Sequence, residues 1–112
     1  MTAKELNSLA ALRKEKKGLE RVKEQINEVL GEQYRGPLLL AWEEQARRLD
    51  MEIKRLSSWI DGIPNMQMRA LVIFKYFFGM TWEQSAKECG YYSAESAREA
   101  FGRYMKKEAK AS

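Results

Sequence analysis

The sequence predicts an all-α protein: an N-terminal antiparallel helical hairpin of coiled-coil character, then a domain of three short helices. Three observations predict it. Apolar residues recur at spacings of three and four over two long stretches. The two prolines, Pro37 and Pro64, lie where those stretches break. Two short periodic segments in the last third meet at a tight glycine turn around Gly90. The expected domains are 1–62, with helices over about 4–30 and 38–61, and 63–112.

The first helix carries Leu9, Leu12, Leu19, Val22, Ile26 and Val29 as its apolar positions. At about 1.5 Å per residue it is on the order of 40 Å long. Thr2 is the candidate cap. Gly31 to Pro37 reads as the break, with Pro37 in the first turn of the second helix, where a missing N–H is harmless. The second helix has a heptad seam of Leu39, Trp42, Ala46, Leu49, Ile53, Leu56 and Ile60. Glu43–Arg47, Glu44–Arg48 and Asp50–Lys54 are oriented to pair along its solvated face. A short glycine turn between two such helices favours a hairpin. A homodimer through the hairpin's outer face is the secondary expectation.

Asp61 to Asn65 forms the next break, with Pro64 ending one helix and Asn65 capping the next. The third helix, about Met66 to Phe78, is apolar nearly all round and belongs at a domain centre, and Gly79 ends it. Met66, Met68 and Met80 read as gap-fillers. Thr81 caps the fourth helix, with Gln84 completing a capping box. Gly90 takes the left-handed conformation that ends it. Ser93 caps the last helix, whose inward face is Ala97, Ala100, Phe101 and Tyr104. Trp82 and Cys89 take core positions. Trp59, off the seam, packs on the third helix or faces an interface.

This is the sequence form of a helix-turn-helix, with the last helix offered to a DNA major groove. Ala86 is the small residue at the crossing and Gly90 the turn glycine. Ser85 fills an apolar site of the common pattern poorly. The later apolar sites land on Ser96 and Glu99, while Ala97 and Ala100 stand one residue further on. The turn is therefore read as one residue longer than the common form. Outward lie Ser93, Glu95, Ser96, Arg98, Glu99, Arg103, Lys106 and Lys107, the candidate DNA-binding residues. Glu95, Ser96 and Arg98 lie nearest base edges, where Arg98 suits guanine and Glu95 cytosine. Arg103, Lys106 and Lys107 suit phosphate.

The totals agree. The net charge is +4 and the pI about 9.2. Residues 64–112 hold eight Lys/Arg against five Asp/Glu, whereas 1–63 hold twelve against eleven, so most of the excess sits with the candidate DNA-reading half. One cysteine and no histidine exclude an internal disulfide, a histidine–cysteine zinc site and a histidine-based triad. A reducing cytoplasm is the expected location. No signal peptide and no membrane span are expected. The cluster Arg13 to Lys23 reads as a solvated face. No catalytic constellation, phosphate loop or metal spacing stands out, so neither enzyme nor cofactor is expected.

Met80-Thr81-Trp82-Glu83-Gln84-Ser85-Ala86, then Gly90-Tyr91-Tyr92-Ser93, Ala97-Arg98 and Arg103-Tyr104 resemble region 4 of sigma-70-type factors. The stretch is more similar still to small phage and prophage regulators built on that domain. The resemblance covers residues 63–107 well and the N-terminal half only in character. It implies promoter-type DNA reading, with Ser93 standing for the threonine cap, Glu95 for the glutamate and Arg98 for a later arginine. Ala94 and Ser96 replace arginines of that family, which directs the expectation to a different DNA site. The sigma regions that bind core polymerase and melt DNA have no counterpart here.

The function expected is a sequence-specific, double-stranded DNA-binding transcriptional regulator, phage- or prophage-encoded. One alternative is a module that binds RNA polymerase or another regulator without touching DNA. The other is a phage DNA-packaging protein.

Overall fold

The computed structural model describes residues 1–111. Among them the protein is all-α: α1 (Ala3–Val29), α2 (Glu32–Asp61), α3 (Met66–Val72) running on into a π-helical segment (Ile73–Phe77), α4 (Trp82–Glu88) and α5 (Ala94–Ala111). The chain divides into two compact units. One joins Met1–Ala10 to Leu56–Ser112, and the other is Ala11–Arg55. The expected division at 62/63 therefore differs from the one found. The physical reason is burial: Leu6, Leu9, Leu56 and Ile60, all on the long helices, belong to the unit that holds Phe101.

The larger unit contains nearly all of the core. Leu6, Leu9, Leu56, Ile60, Ile63, Met68, Leu71, Val72, Tyr76, Ala86, Ala97 and Phe101 are buried there. Thr2 caps α1 as expected, its Oγ1 accepting from the Glu5 N–H at 3.1 Å. Asn65 caps α3 by accepting from the Met68 N–H at 2.8 Å. Arg69 Nε donates to the Ile63 carbonyl at 2.8 Å and fastens the connection after α2. Gly79, at φ +70°, turns the chain after the π segment, a backbone region closed to most side chains. Trp59 meets α5 instead of α3, edge-on to Tyr104 with ring centroids 6.2 Å apart.

In the smaller unit, later residues of α1 meet earlier residues of α2. Lys16 Nζ lies 2.6 Å from Asp50. The Trp42 indole N–H donates to the Leu19 carbonyl. Lys23 Nζ sits 4.6 Å from the centroid of the Trp42 ring. Of the pairs expected along α2, Glu44–Arg48 forms at 2.9 Å. Asp50 goes to Lys16 instead of Lys54, and Arg55 takes Glu52 at 2.6 Å.

Two expectations need correction. The second helix starts at Glu32, not near Leu38, so Pro37 lies inside it. Proline there removes only the bond to the Gln33 carbonyl. Gly36 before it has no Cβ to clash with the proline ring, so the helix carries through. The second correction concerns α1, where Val22 and Val29 are exposed and only Ile26 of that turn is buried. Lys16, expected among the solvated charges, is half-buried, with its ammonium on Asp50.

Candidate nucleic-acid interface

The candidate interface comprises α4, the turn 89–93 and α5, all within the larger unit. Thr81 and Gln84 cap α4 reciprocally: the Thr81 Oγ1 accepts from the Gln84 N–H at 3.1 Å, and the Gln84 Oε1 accepts from the Thr81 N–H at 3.2 Å. Gly90, at φ +76°, closes the helix. The Tyr91 N–H then donates back to the Ala86 carbonyl at 2.9 Å, the six-residue closure of a Schellman turn. Gln67 on α3 donates to the Cys89 carbonyl at 3.0 Å and ties the turn down.

Ala86 and Ala97 are both buried, and their small side chains let α4 and α5 approach closely. Beneath them Tyr76, Trp82 and Phe101 form an aromatic cluster, with centroids 5.3 Å apart for Tyr76–Phe101, 5.5 Å for Trp82–Phe101 and 6.1 Å for Tyr76–Trp82. Lys75 Nζ lies 5.6 Å from the centroids of both Tyr76 and Trp82. Offset and edge-on ring pairs of this kind add about 0.5–1.5 kcal/mol each beyond their buried area. They hold α5 against the rest of the unit. Burial pushes the Tyr76 and Tyr104 hydroxyls above their ordinary pKa, with Glu108 adding to the shift at Tyr104.

The candidate residues fall into three groups. Ser93 and Ser96 cap α5 through each other. The Ser93 Oγ accepts from the Ser96 N–H and the Ser96 Oγ from the Ser93 N–H, both at 3.0 Å. The Ser96 hydroxyl also donates to the Ser93 carbonyl at 2.9 Å. These hydroxyls shape the start of the helix, and Ser96 is occupied where it had been expected near base edges. Glu95, Arg98, Glu99 and Lys106 form an exposed ridge along α5, with Gly102 in its middle. Arg103 and Lys107 stand on a second row. They border a groove of about 630 Å³ that is also lined by Asn65, Gln67, Tyr91 and Tyr104.

Sequence reasoning missed Tyr92. It is 100% exposed, beside the start of α5. A phenol ring fully in water at the tip of a turn is an available contact, with a face for apolar contact and a hydroxyl for phosphate. No sequence signal marks it, because its exposure follows from the path of the turn. Trp82 packs in the cluster against Tyr76 and Phe101 and is partly covered. Cys89 is half-buried, less deep than its core position implied.

No protein-family model, curated protein or solved structure matches this chain. Among the described residues no helix is long and apolar enough to cross a membrane.

Proposed function

We propose that the protein is a sequence-specific DNA-binding transcriptional regulator, with α4 and α5 acting as a helix-turn-helix of the sigma region 4 type that follows a helical hairpin in the chain. The observation that carries this reading is the exposed ridge on α5: Glu95, Arg98 and Lys106 project from a helix whose start is capped and whose inner face is locked by aromatic packing. Arg98 and Glu95 stand near the N-terminal end, the part of a recognition helix that reaches base edges. Lys106, Arg103 and Lys107 follow toward the C-terminal end and serve phosphates. Tyr92 stands beside Ser93 at the entry. The chemistry is binding alone, without catalysis or cofactor, in a cytoplasm such as a phage or prophage product meets.

Selection from a random duplex pool at near-physiological salt, followed by sequencing, tests the reading. An enriched sequence is the expected result. Arg98→Ala relaxes preference at one position and weakens binding to the best site by about 1–3 kcal/mol. Lys106→Ala weakens all sites alike and flattens the salt slope by about 1. No retention even at low salt refutes the reading.

One observation favours a second reading. Glu95 and Glu99 lie on the same exposed ridge as Arg98. Two carboxylates facing DNA oppose phosphate binding, whereas mixed charge suits a protein partner such as RNA polymerase or another regulator. Retention of polymerase by the protein in the absence of DNA supports that alternative.

A further inference from the structure

The smaller unit, Ala11–Arg55, is short of a core. Among its described residues only Ile26 and Leu49 are buried apolar side chains. Two amphipathic helices of this size bury too little surface to be stable by themselves. The missing surface is visible. A groove of about 700 Å³ runs along Gly18, Val22, Ile26, Val29, Leu30 and Leu38. Val22 is 49% exposed, Val29 69% and Leu38 44%, and Tyr34 is exposed close by in sequence. Open apolar surface on a unit with so little core of its own is surface that a further chain can cover.

The charges identify the occupant. Residues 11–55 hold eleven Lys/Arg and nine Asp/Glu, interleaved along both helices, so the unit selects neither an acidic nor a basic partner. It is complementary to itself. On α1, Gly18, Val22, Gln25 and Val29 share a face, flanked by Arg21 and Glu28. An antiparallel second copy of α1, related by a two-fold axis near Gln25, sets Val22 beside Val29 of the second copy and Arg21 beside its Glu28. Gln25 then meets its own equivalent. A Cβ built at Gly18 would have nothing within 4 Å, which leaves space there for a neighbouring chain.

We infer that this face is the interface between two copies of the chain, which close into a four-helix bundle about that two-fold axis. Each copy covers the other's groove, and Arg21 and Glu28 set the register. The inference is independent of DNA binding, because mass is the readout.

Charge reversal tests it. In sedimentation velocity from low to several hundred micromolar, the full chain sediments as twice 13.1 kDa. Arg21→Glu alone sets a second carboxylate beside Glu28 on both sides of the axis, and Glu28→Arg alone sets two guanidinium groups together in the same way. Each variant therefore loses at least tenfold in dimer affinity. Mixed in equal amounts, the two recombine as a heterodimer, which no loss of folding explains. Val29→Glu gives a monomer whose helical circular dichroism signal falls, because Ala11–Arg55 loses the partner that completes its core. A monomeric full chain at every concentration, a species larger than a dimer, or single charge variants that keep the full mass would each overturn the inference.

Discussion

Ser85→Ala stabilises the protein. Ser85 is fully buried in α4, and its Oγ has no hydrogen-bond partner. Burying a hydroxyl without a partner costs about 1–3 kcal/mol in proteins. Replacing serine by alanine inside a helix gains up to about 0.5 kcal/mol in propensity. The void left by one oxygen atom takes back less than about 0.5 kcal/mol. The balance is a gain of roughly 1–2 kcal/mol, or a rise in Tm on the order of 5 °C for a domain of this size. Urea unfolding followed by circular dichroism reads it as a higher midpoint at constant slope. DNA affinity stays unchanged, because Ser85 points into the unit. A variant no more stable than the natural chain would refute the reasoning, since the hydroxyl would then be satisfied.

Gly90→Ala lowers stability by about 1 kcal/mol, because alanine is strained at φ +76°. The cause is backbone alone: the nearest atom to a Cβ there is Gln67 Nε2 at 3.9 Å. Gly90→Asn, which tolerates that conformation better, loses less, and thermal unfolding ranks the two. Burial and, second, the charge of Glu88 push the Cys89 thiol above its ordinary pKa. Its neutral form therefore persists to higher pH in the folded protein, and iodoacetamide labelling at mildly alkaline pH is slower than in urea. Glu88→Gln moves the onset of labelling to lower pH; equal rates folded and unfolded would contradict this. Gly102 lies open on the ridge of α5. Gly102→Ala raises helix stability by up to about 1 kcal/mol. Gly102→Leu keeps the fold but lowers DNA affinity at least tenfold by blocking close approach, and unchanged binding would turn that ridge away from DNA.

Local chemistry was legible in the sequence wherever one residue answers to one backbone need. Thr2, Asn65, Thr81 with Gln84, and Ser93 each cap the helix assigned to them, and Gly79 and Gly90 take positive φ. What escaped depends on which face the rest of the chain covers. Along α1, Leu19, Val22, Ile26 and Val29 satisfy more than one helical phase, and only the packing places Val22 and Val29 outside. Pro37 has the chemistry of a helix start, but Gly36 before it has no Cβ to meet the proline ring, so the helix runs through both. In the candidate site, the inward phase of α5 was readable from the spacing of Ala97 and Phe101, both of them buried. The exposure of Tyr92 and the mutual cap of Ser93 and Ser96 were not, because both follow from the path of the turn.

The union of Met1–Ala10 with Leu56–Ser112 bears on how the protein is made and how it can be cut. A polypeptide beginning at Ile63 keeps the aromatic cluster but lacks Leu6, Leu9, Leu56 and Ile60, and so exposes the side of the core they cover. Truncation at the natural-looking Pro64 break would yield an aggregation-prone remnant instead of a well-folded domain. During synthesis, Leu6 and Leu9 leave the ribosome well before Phe101, with which they share a unit, so their side of that core stays open until Phe101 has followed. Through that interval the nascent chain carries leucines whose partners have yet to be made.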